Sequence, residues 1–220
     1  MDWTQTLDIY CERLNDGLLA EPANAFSNLA FFATTALIVR RLPAQAPSLV
    51  RALAWLPVAI GTGSLVFHTV ATRWASVLDI AFIAVFVLAY LAYAPIHLLG
   101  WPVRRAVLGV SAVVGLTAAT AVAPRLPAMN GSEIYLGTWL AMATLAATGW
   151  RVAAGRWLIA ATSLFAVSIA LRSIDMLVCA SFPLGTHFGW HLCNAVVLWC
   201  ALRALLDDER GVTPVGRPAP

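Results

Sequence analysis

The 220-residue chain has little charge and no lysine: 11% of its residues are charged, and all 14 basic residues are arginine. A soluble domain carries about 25% charged residues, so this composition excludes an ordinary soluble domain. The net charge of +3 is small and is not gathered in one patch, which argues against nucleic-acid binding. Four cysteines are too few for a small disulfide scaffold. Too few residues are polar for a disordered chain.

What the chain has in abundance is hydrophobic sequence, at 60% of its residues. A membrane-spanning helix needs roughly 20 mostly apolar residues. Stretches of about that length recur along the chain, and prolines and glycines lie between them, as is typical of loops. The sequence therefore predicts an all-α integral membrane protein, a seven-transmembrane helix bundle with spans at 23–39, 49–71, 75–98, 103–123, 134–150, 157–180 and 184–206.

The spans form one predicted transmembrane domain, 23–206, which follows an acidic N-terminal segment, 1–22, and precedes a tail, 207–220, predicted to be disordered. Cytoplasmic loops of membrane proteins are enriched in basic residues. With the N-terminus outside, ten arginines fall on the cytoplasmic side and three on the outer side. This bias predicts an extracytoplasmic N-terminus and a cytoplasmic C-terminus. The composition, rich in alanine and arginine and without lysine, indicates a bacterial inner membrane.

Polar side chains from three spans fall in one layer of the predicted membrane. His68 lies near the outer end of the second span, Asp79 near that of the third, and His187 and His191 near that of the seventh. Such side chains are costly at membrane depth unless they are paired or ligated. His187 and His191 are four residues apart on one helix face, a spacing that lets two imidazoles bind one metal ion. Ser64 has the same spacing from His68.

Three histidines with an open position are the ligand set of a catalytic zinc site. Zinc in such a site polarises a carbonyl and lowers the pKa of bound water to about 7. Asp79 is then the candidate general base, or a residue that orients a ligand, and Ser64 is the candidate hydrogen-bond donor to an oxyanion. The alternatives are a structural site with a fourth protein ligand, haem ligation, and plain hydrogen bonding of the histidines. His97, at the inner end of the third span, is interpreted as interfacial.

Three further features concern the outer side of the bundle. Arg172 and Asp175, three residues apart on the sixth span, are interpreted as an internal ion pair. Cys11 and Cys179 both fall on the outer side, where an oxidising compartment would favour a disulfide. The N-terminal segment is acidic, and oxygen ligands at this density suit calcium, with a solvated acidic surface as the alternative.

Several motifs together resemble the alkaline ceramidase family. They are Ser64 with His68, Asp79 eleven residues after His68, and His187 with His191. The group Tyr10-Cys11-Glu12, Glu21, Asn24 and Ser27-Asn28 is similar to that family's N-terminal signature, and Ile174-Asp175 with Cys179 resembles its sixth-span motif. The resemblance covers nearly the whole chain and is colinear with the seven spans.

The resemblance implies a seven-helix intramembrane zinc amidohydrolase, related to adiponectin-receptor-type proteins. It implies that zinc is bound by His68, His187 and His191, that Asp79 assists the water, and that Ser64 stabilises the oxyanion. It also implies a disulfide between Cys11 and Cys179. A calcium site near the N-terminus is implied as well. Glu12 and Glu21 are its better-supported ligands, at a closer spacing than the family's, and Asp8 and Asn15 are displaced by one residue from the family pattern.

We therefore expect zinc-dependent hydrolysis of the amide bond of ceramide or a similar N-acyl lipid, which gives a sphingoid base or lipid amine and a fatty acid. The expected partner is the membrane lipid substrate, with no nucleic acid and no obligate protein partner. One alternative is a seven-transmembrane receptor or sensor with a metal site and little turnover. A zinc or proton transporter is another, and it is disfavoured because the inner half of the membrane is nearly bare of polar groups.

Overall fold

Eight α-helices follow one another in a computed structural model that describes residues 2–211, with side chains to residue 207. Their bounds are α1 Pro22–Ser27, α2 Leu29–Val39, α3 Ser48–Val70, α4 Arg73–Leu99, α5 Val103–Val122, α6 Leu136–Gly149, α7 Gly155–Val178 and α8 His187–Gly211. Two short 3₁₀ turns, Pro127–Met129 and Ser132–Tyr135, join α5 to α6. Within residues 2–211 the secondary structure is helical except for one bridge between Thr6 and Thr72, so the predicted all-α class is confirmed.

Proline and glycine mark the helix ends. Pro47 and Pro102 stand immediately before α3 and α5, where the missing N–H of proline leaves no helical hydrogen bond unmade. Gly100 ends α4 in the left-handed region, at φ +62°. Asn28 separates α1 from α2, and the two helices together cover the first predicted span. The local breakers therefore set the lengths of the apolar helices.

Among the described residues, six segments are long and apolar enough to cross a membrane: Pro22–Val39, Ser48–Val70, Arg73–Leu99, Val103–Val122, Gly155–Val178 and His187–Asp207. The predicted fifth span is α6, which has 14 residues. At about 1.5 Å per residue α6 is roughly 21 Å long, shorter than a hydrocarbon core of roughly 30 Å. The six long segments are those of a multi-pass membrane protein, while the count of seven spans and the orientation stay predictions.

The last helix extends past the predicted end of the last span at 206, because α8 continues to Gly211. Asp207, the first residue of the predicted tail, accepts hydrogen bonds from Arg156 at 3.0 Å, Trp157 at 2.6 Å and Arg203 at 2.8 Å. These bonds join the start of α7 to the end of α8. The remainder of the predicted tail, 212–220, lies outside the described residues.

The segment before α1 lies across the opposite end of the bundle. Its backbone pairs with the turn between α3 and α4: the Leu7 N–H donates to the Ala71 carbonyl at 2.7 Å, and the Arg73 N–H donates to the Gln5 carbonyl at 3.1 Å. A disulfide joins Cys11 to Cys179 at the end of α7, with a Cα–Cα distance of 5.3 Å. We call this end of the molecule the histidine end, because it holds His68 and the start of α8.

The buried Asp175 carboxylate connects three parts of the chain at the histidine end. One oxygen accepts the Cys11 N–H at 2.9 Å, and the other accepts the N–H groups of Thr186 at 2.6 Å and His187 at 2.9 Å. The first N–H groups of a helix have no intrahelical acceptor. Asp175 therefore caps α8 from α7 and fixes where the helix begins, and with it the position of His187.

The predicted ion pair between Arg172 and Asp175 is wrong, because the two side chains have separate partners. Arg172 donates to the Asn130 carbonyl at 2.6 Å, to the Ser132 hydroxyl at 3.0 Å and to the Tyr10 hydroxyl at 3.4 Å. The Asp175 oxygens are already bonded to backbone N–H groups, which leaves the guanidinium to bind acceptors in the α5–α6 connection and the N-terminal segment.

Gly185 precedes the capped start of α8 at φ +68°, and a Cβ built there would lie 2.3 Å from Asp175 Oδ1 and 2.6 Å from Cys11 Cβ. We expect Gly185→Ala to destabilise the fold by about 1–3 kcal/mol, because alanine is strained at this positive φ and its Cβ would clash with the Asp175 carboxylate. Thermal unfolding in detergent measures the effect. Gly109→Ala is the matched control, since nothing lies within 4 Å of its added Cβ. Equal melting of the two variants would contradict the assigned role of Gly185.

Candidate metal centre

Three buried histidines face one another at the histidine end. His68 lies in the last turn of α3, and His187 and His191 lie in the first two turns of α8. Each is at most 2% exposed. One ring nitrogen from each histidine lies within 4.8 Å of the other two, and among the described residues this is the one group of histidine, cysteine or acidic side chains that could hold a metal ion. The prediction that these imidazoles meet is confirmed.

The His68 ring is held by a carboxylate on its outward side. Its Nδ1 lies 2.6 Å from Glu21 Oε2, and the Glu21 side chain is 2% exposed. The buried Nε2 has no hydrogen-bond partner among the described residues. A hydrogen bond from one ring nitrogen to a carboxylate orients the imidazole and leaves the lone pair of the other nitrogen available to a metal ion. Metal-bound histidines usually have such a partner.

The two histidines of α8 have comparable support. His191 Nδ1 lies 2.8 Å from the Ser27 hydroxyl on α1, and its Nε2 lies 3.3 Å from the Ser64 hydroxyl on α3. The His187 ring stacks on Tyr10, with ring centroids 3.6 Å apart and an interplanar angle of 16°. Each imidazole therefore packs against a residue of the N-terminal segment or α1 in a defined orientation.

The residues present fit a metal ion. Within the described structure, His68 Nε2 and His187 Nδ1 are buried nitrogens without partners, and an unpaired buried polar atom is costly in an apolar environment. One ring nitrogen of each histidine is close enough to the other two for a single cation to bind all three rings. The cluster supplies three histidine ligands and no fourth ligand from the side chains described, an arrangement that leaves one coordination position open.

Asp79 and Ser64 lie beside the cluster, where an apolar cavity meets it. Asp79 is half-buried and within interaction range of the Ser64 hydroxyl and the His68 ring. Both line a cavity of about 380 Å³, together with His191 and Asn194. The rest of the cavity wall is mainly aliphatic and aromatic, from α2 to α8. A volume of this size is typical of small-molecule sites, so the histidine cluster has an adjoining space for an apolar ligand.

Three of the four candidate calcium ligands, Glu12, Asn15 and Glu21, already form hydrogen bonds within the described structure. Glu12 accepts the backbone N–H groups of Ala23 at 2.6 Å and Asn24 at 2.8 Å, at the start of α1. Asp8 and Asn15 are exposed. The fourth candidate, Glu21, is paired with His68 as described above. The structure therefore gives no support to calcium, which stays an implication of the resemblance.

Glu21 is a carboxylate in spite of its burial. Burial alone raises the pKa of a carboxyl group, but hydrogen bonds from His68, Arg13 and Asn24 outweigh it and hold the pKa of Glu21 below its ordinary value. The Arg13 guanidinium lies 2.5 Å from Glu21 Oε1. Glu21 therefore stands between a cation and the His68 ring.

Comparison with protein-family models, with characterised proteins and with solved structures finds no significant match for this chain. The ceramidase resemblance therefore stays an expectation, and the geometry of the site carries the functional argument.

The contacts of Ser27 and Tyr10 with the histidines were not predicted, and the resemblance implies calcium rather than His68 as the partner of Glu21. A signal was present for part of this: Glu21, Asn24 and Ser27 recur every three residues at the start of an apolar span, a spacing that places them on one side of a helix. Such a polar stripe indicates a buried polar partner. Tyr10 and His187 are separated by 177 positions in the sequence, so no local sequence pattern predicts that their rings stack.

We expect each of His68→Ala, His187→Ala and His191→Ala to abolish stoichiometric binding of a divalent metal, because two imidazoles alone leave the ion weakly held. Elemental analysis of the purified protein in detergent measures the bound metal. His97→Ala is the matched control, since His97 lies in the last turn of α4 and is not part of the cluster. Full metal content in the three cluster variants would contradict the assignment.

Proposed function

We propose that the protein is a zinc-dependent hydrolase of the amide bond of ceramide or a similar N-acyl lipid. The observation that carries this proposal is a cluster of three buried histidines, one of which, His191, lines an apolar cavity together with the Asp79 carboxylate and the Ser64 hydroxyl. When bound, zinc supplies Lewis-acid polarisation of a carbonyl oxygen and favours ionisation of water. The remaining chemistry is assigned to side chains of this chain.

Asp79 is the proposed general base and acid. Its carboxylate lies at the cavity, beside the cluster, where it can accept a proton from the attacking water. The water oxygen bonds to the carbonyl carbon, and the carbon–nitrogen bond then breaks. Asp79 returns the proton to the leaving nitrogen, so that the products are a free amine and a fatty acid and the carboxylate is restored.

Ser64 is the proposed donor to the carbonyl oxygen. Its hydroxyl is 2% exposed and lies 3.3 Å from His191 Nε2, between the cluster and the cavity. As the carbonyl carbon becomes tetrahedral, negative charge collects on its oxygen, and a hydrogen bond from a fixed hydroxyl stabilises that charge most. The cavity would bind the acyl chain and exclude bulk water.

The membrane arrangement belongs to the same proposal. Seven spans with an extracytoplasmic N-terminus would place the cluster near the outer face of a bacterial inner membrane, at the depth of a lipid amide. The support is the arginine bias of the loops and the Cys11–Cys179 disulfide at the same end of the bundle.

We expect Asp79→Asn to lower the rate of fatty-acid release from ceramide by about 10²–10⁴-fold, because the proton transfer loses its carboxylate. Zinc content should stay at the wild-type level, since Asp79 is not one of the three ligands. Quantitation of released fatty acid by mass spectrometry, beside elemental analysis, separates the two effects. A wild type that binds zinc and retains lipid through purification without turnover would favour the receptor or sensor instead.

We expect Val87→Trp to shorten the acyl chain that is accepted, because Val87 lines the cavity. The loss in kcat/KM for long-chain amides should be about tenfold or more, with short-chain amides spared. Val85→Trp on the same helix is the control, since Val85 is 52% exposed and outside the cavity wall. An equal loss at every chain length, or in the control, would show that the cavity does not hold the acyl chain.

A further inference from the structure

We propose that Arg13 is the resident cation beside the histidine cluster: its guanidinium binds the Glu21 carboxylate, which the resemblance would give to calcium, and it positions that carboxylate against His68. This inference rests on the proposed function only in that the three histidines bind zinc. It assigns to Arg13 a positioning role and predicts a centre that is independent of calcium.

The guanidinium is enclosed by oxygen atoms. Arg13 is 5% exposed. Its Nε donates to Glu21 Oε1 at 2.5 Å, one terminal nitrogen donates to the Asn15 carbonyl at 3.1 Å, and the other donates to the His68 carbonyl at 3.4 Å. A carboxylate and two backbone carbonyls are ligands that a hard cation such as calcium also prefers. In this chain the Arg13 guanidinium already supplies the positive charge to this carboxylate and these carbonyls.

The candidate calcium ligands are unsuited to a second cation at this place. Calcium takes six to eight oxygen ligands. Both oxygens of Glu12 accept backbone N–H groups, and the Asn15 side-chain oxygen accepts the Gly17 N–H at 2.8 Å. Asp8 is exposed. A calcium ion next to Glu21 would also be repelled by the guanidinium, so the two cations exclude each other.

Arg13 acts on the histidine cluster by two routes. It fixes the Glu21 carboxylate, whose other oxygen lies 2.6 Å from His68 Nδ1, and it binds the carbonyl of His68 itself. Guanidinium, carboxylate and imidazole thus form a continuous chain that ends at the free Nε2 of His68. Outer partners of this kind tune metal affinity by about 10–100-fold.

The first experiment uses the unmodified protein. Elemental analysis of the protein in detergent should find one zinc per chain and calcium at the level of the buffer, and millimolar calcium chloride should leave the midpoint of thermal unfolding of the zinc-loaded protein unchanged. Stoichiometric calcium, or a rise in that midpoint on adding calcium, would overturn the inference without any variant.

The second experiment compares Arg13→Ala and Arg13→Lys with the control Arg73→Ala. Arg73 is also at the histidine end, but its side chain donates a hydrogen bond to Gln5 at an exposed position. Competition with a chromophoric chelator measures zinc affinity, and the visible absorption of the cobalt-substituted protein reports the geometry of the ligands. We expect Arg13→Ala to bind zinc about 10–100-fold more weakly and to shift the cobalt bands, with Arg13→Lys between it and the wild type. Arg73→Ala should match the wild type in both measurements.

A merely structural role would lower the thermal stability of Arg13→Ala and leave the cobalt spectrum unchanged, and that result would overturn the inference. Equal zinc affinity of Arg13→Ala and Arg73→Ala would do the same. If the wild-type protein itself binds no zinc, the proposed function fails instead, so the two failures are distinguishable.

Discussion

The central constraint on this molecule is that imidazole nitrogens are buried inside a bundle of apolar helices. An unpaired polar group is expensive there, because no water is present to replace a lost hydrogen bond. The structure provides outer partners for the ring nitrogens of two histidines, from Glu21 to His68 and from Ser27 to His191, and a stacked ring from Tyr10 to His187. Within the described structure, His68 Nε2 and His187 Nδ1 are buried and have no hydrogen-bond partner. Because some ring nitrogens have hydrogen-bond partners and others have none, the cluster fits a metal ion.

The segment before α1 is an integral part of the centre. Tyr10 packs on His187, the Cys11 N–H bonds to the aspartate that caps α8, and Arg13 bonds to Glu21 and to the His68 carbonyl. A covalent bond to Cys179 holds the same segment against α7. Successive residues from 10 to 13 thus contact the ends of α3, α7 and α8. The orientation of the imidazoles depends on these contacts as much as on the helices that carry them.

The fold class was predictable because apolar length is a direct physical requirement of a spanning helix. The cluster was predictable because helical spacing and membrane depth place His68, His187 and His191 together. The partners of Arg172 and Asp175 were not, since helix spacing shows which side chains can meet but not which distant acceptors compete for them. The contacts of Glu21 were not predictable for a similar reason: an acidic segment shows that carboxylate oxygens are present, and only the packing shows that Arg13 and His68 bind those of Glu21.

The pairing of residues 10–13 with α8 has a consequence for biosynthesis. The ribosome synthesises Tyr10, Cys11 and Arg13 before the intervening helices, and His187 and His191 after them. The segment before α1 lacks its contacts with α8 until that helix has been inserted, since contacts so distant in sequence form only after the intervening chain is in place. The three histidines can therefore bind one metal ion together only after α8 has been inserted.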